Sequence, residues 1–137
     1  MRDIKDIKFR ARAKPMSKHL SYPKWVFGLI QSIAKDGTGF LREEHKNCIH
    51  IKANTISQFS GLYDKNGMEI YEGDIVTCSN GMCNQYIIKF LDGCFMGYDD
   101  NTTFAKLLKD MRNPQVIGNI YDNTDLLENK SLPITYN

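Results

Sequence analysis

The sequence predicts a mainly β protein, a β-rich α+β chain whose antiparallel meander or barrel-like sheet carries one or two short helices. Several short runs alternate apolar and polar residues at period two, and turn dipeptides containing glycine separate them. Helical spacing is confined to two short segments near the end. A length of 137 residues suits a single domain, residues 1–137, with one sizeable core.

Ile4 to Arg12 alternates loosely and reads as a first strand, followed by a loop from Pro15 to Pro23. Lys24 to Ile30 is the second strand. Its residues Trp25, Phe27 and Leu29 share one face, Val26, Gly28 and Ile30 the other, and Trp25 with Phe27 is expected in the core. Asp36-Gly37-Thr38-Gly39 is a turn into a short strand from Phe40 to Arg42. Glu43 to Asn47 forms a hairpin tip, and Cys48 to Ile51 returns.

Gln58 to Val76 interleaves turn residues with β-formers. Asp64-Lys65-Asn66-Gly67 and Glu72-Gly73-Asp74 are its turns, because Asn and Gly accept the backbone angles required there. Ile75–Ser79, Met82–Leu91 and Cys94–Tyr98 then form a meander joined by Asn80-Gly81 and Asp92-Gly93, both favoured in type I′ turns. Two-residue turns at both places put Ile75 opposite Tyr86 and Phe90 opposite Phe95. Ile75, Tyr86, Ile88, Phe90 and Phe95 then line one apolar face. Val76, Gln85, Ile87, Lys89 and Met96 lie on the other, a mixed face suited to partial exposure or cover by another element.

Phe104, Leu107, Leu108 and Met111 recur at helical spacing and predict a short amphipathic helix capped by Thr102 or Thr103. Asn113-Pro114 ends it. Val116 to Tyr121 is a last strand, with Gly118 at a bulge or close approach. A helical turn through Asp125, Leu126 and Leu127 follows, and residues 130–137 form a mobile tail.

Hydrophobic residues make up 42% of the chain and charged residues 25%, an ordinary soluble composition without an apolar run long enough for a membrane span. The charged N-terminus has no apolar stretch of a signal peptide, so the expected compartment is the cytoplasm of a bacterial host cell. That setting makes Cys48, Cys78, Cys83 and Cys94 thiols. Cys78 and Cys83 would face each other across the Asn80-Gly81 hairpin, where a disulfide is geometrically conceivable under oxidising conditions. C-x4-C without a second pair is a weak zinc signal, and His19, His45 and His50 do not complete it.

The net charge of +2 conceals an asymmetry: Met1 to Lys24 carries eight Lys and Arg against two Asp. Residues 1–14 form a basic arm in which Lys8, Arg10, Arg12 and Lys14 are the candidate macromolecule-binding residues, with Arg2 and Lys5 adding charge. Phe9, Tyr22 and Trp25 interleave with these cations as ring platforms for bases. The competing account is a solvated edge strand whose cations discourage pairing with another sheet.

Asp64, Glu69, Glu72 and Asp74 are the candidate metal-binding carboxylates of an alternative reading, a metal-dependent hydrolase or nuclease. Turn formation and strand entry explain the same residues more simply. No catalytic order of Ser, His and Asp or of Cys and His has a supporting context, and no Gly-rich phosphate loop is present, so neither catalytic residues nor a cofactor is expected.

Ile7-Lys8-Phe9-Arg10, the long block Gln58 to Gly67 with Glu69 to Val76, and Val116 to Asn123 with Leu126-Leu127 together resemble the YopX family of phage and prophage proteins. The blocks occur in the family's order and span nearly the whole chain. Where many members have Ala-Trp-Asp after Phe-Arg, this chain has Ala11-Arg12-Ala13-Lys14, which is similar to a more basic branch. The resemblance implies a mostly β fold and an origin in a phage, prophage or other mobile element. It implies no reaction. The function expected is therefore that of a non-enzymatic accessory protein contacting a host or phage protein or a nucleic acid, and a homo-oligomer is compatible with it.

Overall fold

The computed structural model describes residues 7–14, 25–43, 48–78, 85–99 and 105–128. The chain falls into two compact units, Met1–Phe59 and Ser60–Asn137. Each has its own buried apolar cluster, where length alone suggested one core.

Unit 1 contains β1 (Phe9–Arg12), β2 (Trp25–Ile33), β3 (Thr38–Arg42), β4 (Cys48–Lys52) and the first residues of β5 (Ser57–Tyr63). These strands are antiparallel in the order β4-β3-β2-β1-β5. The sheet curls: Ala13 bridges Ile51 of β4, and the Lys14 N–H donates to the His50 carbonyl at 2.8 Å. A register shift between Ile30 and Ser32 marks a bulge in β2, the device by which a strand bends. The inner face is lined by Ala11, Val26, Leu41 and Ile51, with Ala13, Ile30, Ile49 and Ile56 against them.

The inner face takes Val26 of β2 and not Trp25 or Phe27, which corrects one expectation. Phe27 is 46% exposed and Leu29 54%, and Trp25 is only half-buried, so their face of β2 is the outer one. The period of two is present, but the smaller side chains of Ala11 and Val26 take the inside. Phe9 pairs with Gly28 on the inner side and therefore does not share the face of Arg10 and Arg12.

Unit 2 holds the second half of β5 beside β6 (Glu69–Tyr71), and a five-stranded sheet. Its strands are β7 (Asp74–Thr77), β8 (Gln85–Leu91), β9 (Cys94–Asp99), β10 (Ala105–Leu107) and β11 (Gln115–Asn119), ordered β10-β9-β8-β7-β11. β8 and β9 meet as the Asp92-Gly93 turn requires, with Phe90 opposite Phe95 and Leu91 opposite Cys94. Asp92 and Gly93 have φ of 52° and 80°, the pair of positive values that a type I′ turn needs. The bulge expected at Gly118 is present as a register shift between Val116 and Gly118.

Two expectations fail here. Ile75 pairs with Ile87 rather than Tyr86, one residue away from the register of a two-residue Asn80-Gly81 turn. A slip of one reverses a strand's faces. Val76 therefore joins Tyr86 and Ile88 in one cluster, while Ile75 and Ile87 form a second that Ile120 and Leu126 cover. Burial on both faces of β7 selects this register, and Phe90, expected in the core, is 42% exposed.

The helix expected over 104–111 is instead β10 followed by a 3-10 turn, Leu108–Asp110. Ala105, Lys106 and Leu107 pair with Tyr98, Gly97 and Met96, which satisfies the edge of β9. A helix of two turns has little stability of its own, so ladder hydrogen bonds win. The 3-10 turn still brings Leu108 and Met111 to one side, and both are buried in the main cluster of unit 2. The expected final helical turn exists as α1, Asp125–Glu128.

The Pro15–Pro23 loop, residues 44–47 of the hairpin tip, Asn80-Gly81, Cys83, Thr102 to Phe104 and the tail from Lys130 lie outside the described residues. So do Arg2, Lys5, His19, Tyr22 and His45.

Candidate macromolecule-binding face

Alternation along β1 sends Ala11 inward and Arg10 and Arg12 outward, and Lys8 and Lys14 continue that parity at either end. The structure thus places the four predicted cations on one side of one strand. Arg12 lies opposite Trp25 and Arg10 opposite Phe27. The Arg10 and Arg12 guanidiniums sit 4.7 and 5.1 Å from the Trp25 ring centroid, and the Lys8 ammonium sits 4.9 Å from that of Phe59. Such contacts hold long cationic side chains in place, each worth about 0.5–2 kcal/mol depending on how far it is desolvated.

The four cations differ in access. Arg10 is 8% exposed, while Lys8, Arg12 and Lys14 are half-buried. Lys14 also contributes to the electrostatics of Asp36, whose carboxyl is held below its ordinary value first by the Thr38 hydroxyl, next by the Thr38 N–H, and less by the Lys14 charge.

The register extends this face beyond the residues singled out in the sequence. Leu29 pairs with Arg42, Phe40 with His50, and Thr38 with Lys52. Phe40 and His50 stack with centroids 5.0 Å apart and ring planes 17° from parallel. Phe40 is 42% exposed, and Arg42 and Lys52 are exposed. A sequence signal did exist: β1 to β4 contain Arg10, Arg12, Arg42 and Lys52 but neither Asp nor Glu. It is visible only once the four strands are known to share a sheet.

The carboxylates of unit 2 serve the backbone. Asp64 Oδ1 accepts the N–H groups of Asn66 and Met68 at 2.8 and 2.9 Å, and its Oδ2 accepts that of Val116 at 3.0 Å. Burial pushes this carboxyl up, but the three donors together outweigh it and leave the pKa below its ordinary value. Asp74, 1% exposed, accepts the Tyr71 N–H at 2.7 Å, and Glu69 accepts the Tyr71 hydroxyl at 3.1 Å. Asp64, Glu72 and Asp74 do not converge as a ligand set, and no group of three such residues able to hold a metal occurs among the described residues.

Cys48, Cys78 and Cys94 are thiols, and the Cys48 Sγ–H donates to Gln31 at 2.5 Å. A hollow of about 120 Å³ in unit 2 is lined by Leu62, Tyr63, Ile70, Leu108, Lys109, Met111 and Pro114. Lys109 and Tyr63 are its polar-tipped residues, fewer than a site that orients a small ligand commonly has.

The family model described as YopX protein matches residues 8–128, most of the chain. No curated protein matches it. The chain belongs to the YopX family.

Proposed function

We propose that this YopX family member is a non-enzymatic binding module that holds an anionic macromolecule, nucleic acid or acidic protein, on the outer face of unit 1. One observation carries the reading: every charged residue in β1 to β4 is a cation, and all lie on the outer face. A cation-rich sheet face, flanked by Asp36 and Glu43 at the ends of β3, concentrates counter-charged partners and speeds their association. The aromatic contacts of Arg10 and Arg12 hold part of that charge in place before a partner arrives.

The same reading makes it an accessory protein of a phage, prophage or other mobile element, working in the cytoplasm of a bacterial cell. No described helix is long and apolar enough to cross a membrane.

Retention on heparin, a linear polyanion, tests the proposal. The wild type is expected to bind at low salt, and an Arg42→Glu/Lys52→Glu variant to elute at clearly lower salt with an unchanged melting temperature, since both side chains are exposed. Flow-through of the wild type at low salt, or co-elution of the two proteins, overturns it.

A further inference from the structure

We infer that the outer face of unit 1 takes single-stranded nucleic acid, with bases stacked on Phe27 and on Phe40. This rests on the binding reading above and names the partner. Arg42 and Lys52 would attract any polyanion. The exposed apolar side chains between the cations narrow the choice: Phe27, Leu29 and Phe40 are 46%, 54% and 42% exposed. A duplex hides its base faces and offers phosphate to these rings. A single strand offers both base faces and phosphate, which is what a surface of alternating rings and cations complements.

Register sets the order of the groups. Arg12 and Trp25 form one cross-strand row, Arg10 and Phe27 the next, then Leu29 with Arg42, Phe40 with His50, and Thr38 with Lys52. Each exposed ring or Leu29 therefore has a cation in its own row or the adjoining one. Trp25 already carries two guanidiniums over its ring. Phe27 and Phe40 are more exposed than Trp25, so base stacking is assigned to them, and His50 stacks against one face of Phe40. Strand geometry puts these two platforms about 14 Å apart, which leaves room for intervening nucleotides over Leu29 and Arg42. β1 to β4 themselves contain no carboxylate, and Asp36 and Glu43 flank β3 at its two ends.

Fluorescence anisotropy with labelled single strands of twenty thymidines or twenty uridines, and a DNA duplex of equal length, provides the test at low and moderate salt. The protein is expected to bind at least one of the single strands more tightly than the duplex. Phe27→Leu and Phe40→Leu should each weaken single-strand binding at least about fivefold while leaving duplex binding and melting temperature unchanged. Leucine keeps the apolar bulk, so only stacking is removed. Arg42→Glu/Lys52→Glu should weaken binding to every probe. Equal affinity for duplex and single strands overturns the inference, as does unchanged single-strand affinity in both Phe variants. Absence of binding to either strand at low salt also overturns it, while heparin retention decides separately whether the broader binding reading stands.

Discussion

Replacing Asp64 with Ala is expected to destabilise unit 2 by about 3 kcal/mol or more, because hydrogen bonds to a charged acceptor contribute about 1.5–3 kcal/mol each and losses within one network overlap. Asp64 is 7% exposed and accepts from Asn66, Met68 and Val116, so it ties the turn after β5 to the start of β11. Alanine leaves three donors facing an apolar methyl. Urea unfolding followed by far-UV circular dichroism checks the magnitude, and hydrogen exchange at the Val116 amide checks the place. A loss below about 1 kcal/mol would mean that water replaces the carboxylate at little cost.

The sign of the pH dependence follows from the lowered pKa of Asp64. Between the folded value and the ordinary one, 3.8, the unfolded chain binds more protons than the native one. The stabilisation is therefore complete above the unfolded value and is lost as pH falls through the folded one. Asp64→Asn cannot titrate and presents an NH2 group to the Val116 N–H. Its stability deficit relative to the wild type should shrink as the pH is lowered below about 4. A deficit that stays constant down to the acid transition would show that the carboxylate's charge is not what matters.

The second large effect is expected at Gly28. A Cβ there would stand 2.0 Å from the Arg42 carbonyl oxygen and 2.8 Å from its carbon, and backbone atoms cannot turn aside as a side chain can. Gly28→Ala should cost about 3 kcal/mol, the upper part of the range for overpacking, because β2 and β3 must separate. Trp25 is the only tryptophan and sits in unit 1, so its fluorescence during denaturation reports that unit directly. Gly37→Ala, with nothing within 4 Å but a φ of +90°, should cost only about 1 kcal/mol. Equal costs at the two positions would place the penalty in backbone strain rather than in the approach of β3.

Much of the fold was legible wherever local chemistry left one option. Asp92-Gly93 set the β8–β9 register because only a short turn with positive φ joins strands so closely. Asp64 and Gly67 announced their turn, and Gly118 its bulge. The candidate site was half legible. Lys8, Arg10, Arg12 and Lys14 stood out by charge, while Phe27, Phe40 and Arg42 did not, since period two says which residues share a face and not which face meets the core.

The family, the β class, the turns at Gly67, Gly73 and Gly93 and the cationic strand were all legible from residues close together in the chain. Tertiary structure decided which face of β2 turns inward, through packing across the sheet, where Val26 joins Ala11, Leu41 and Ile51. It also placed Ile75 opposite Ile87, because both faces of β7 had to be covered. Residues 105–107 became a strand because the edge of β9 offered hydrogen bonds that a short helix could not match. Each of these outcomes was settled by pairing or packing with another strand, which the pattern within one segment does not specify.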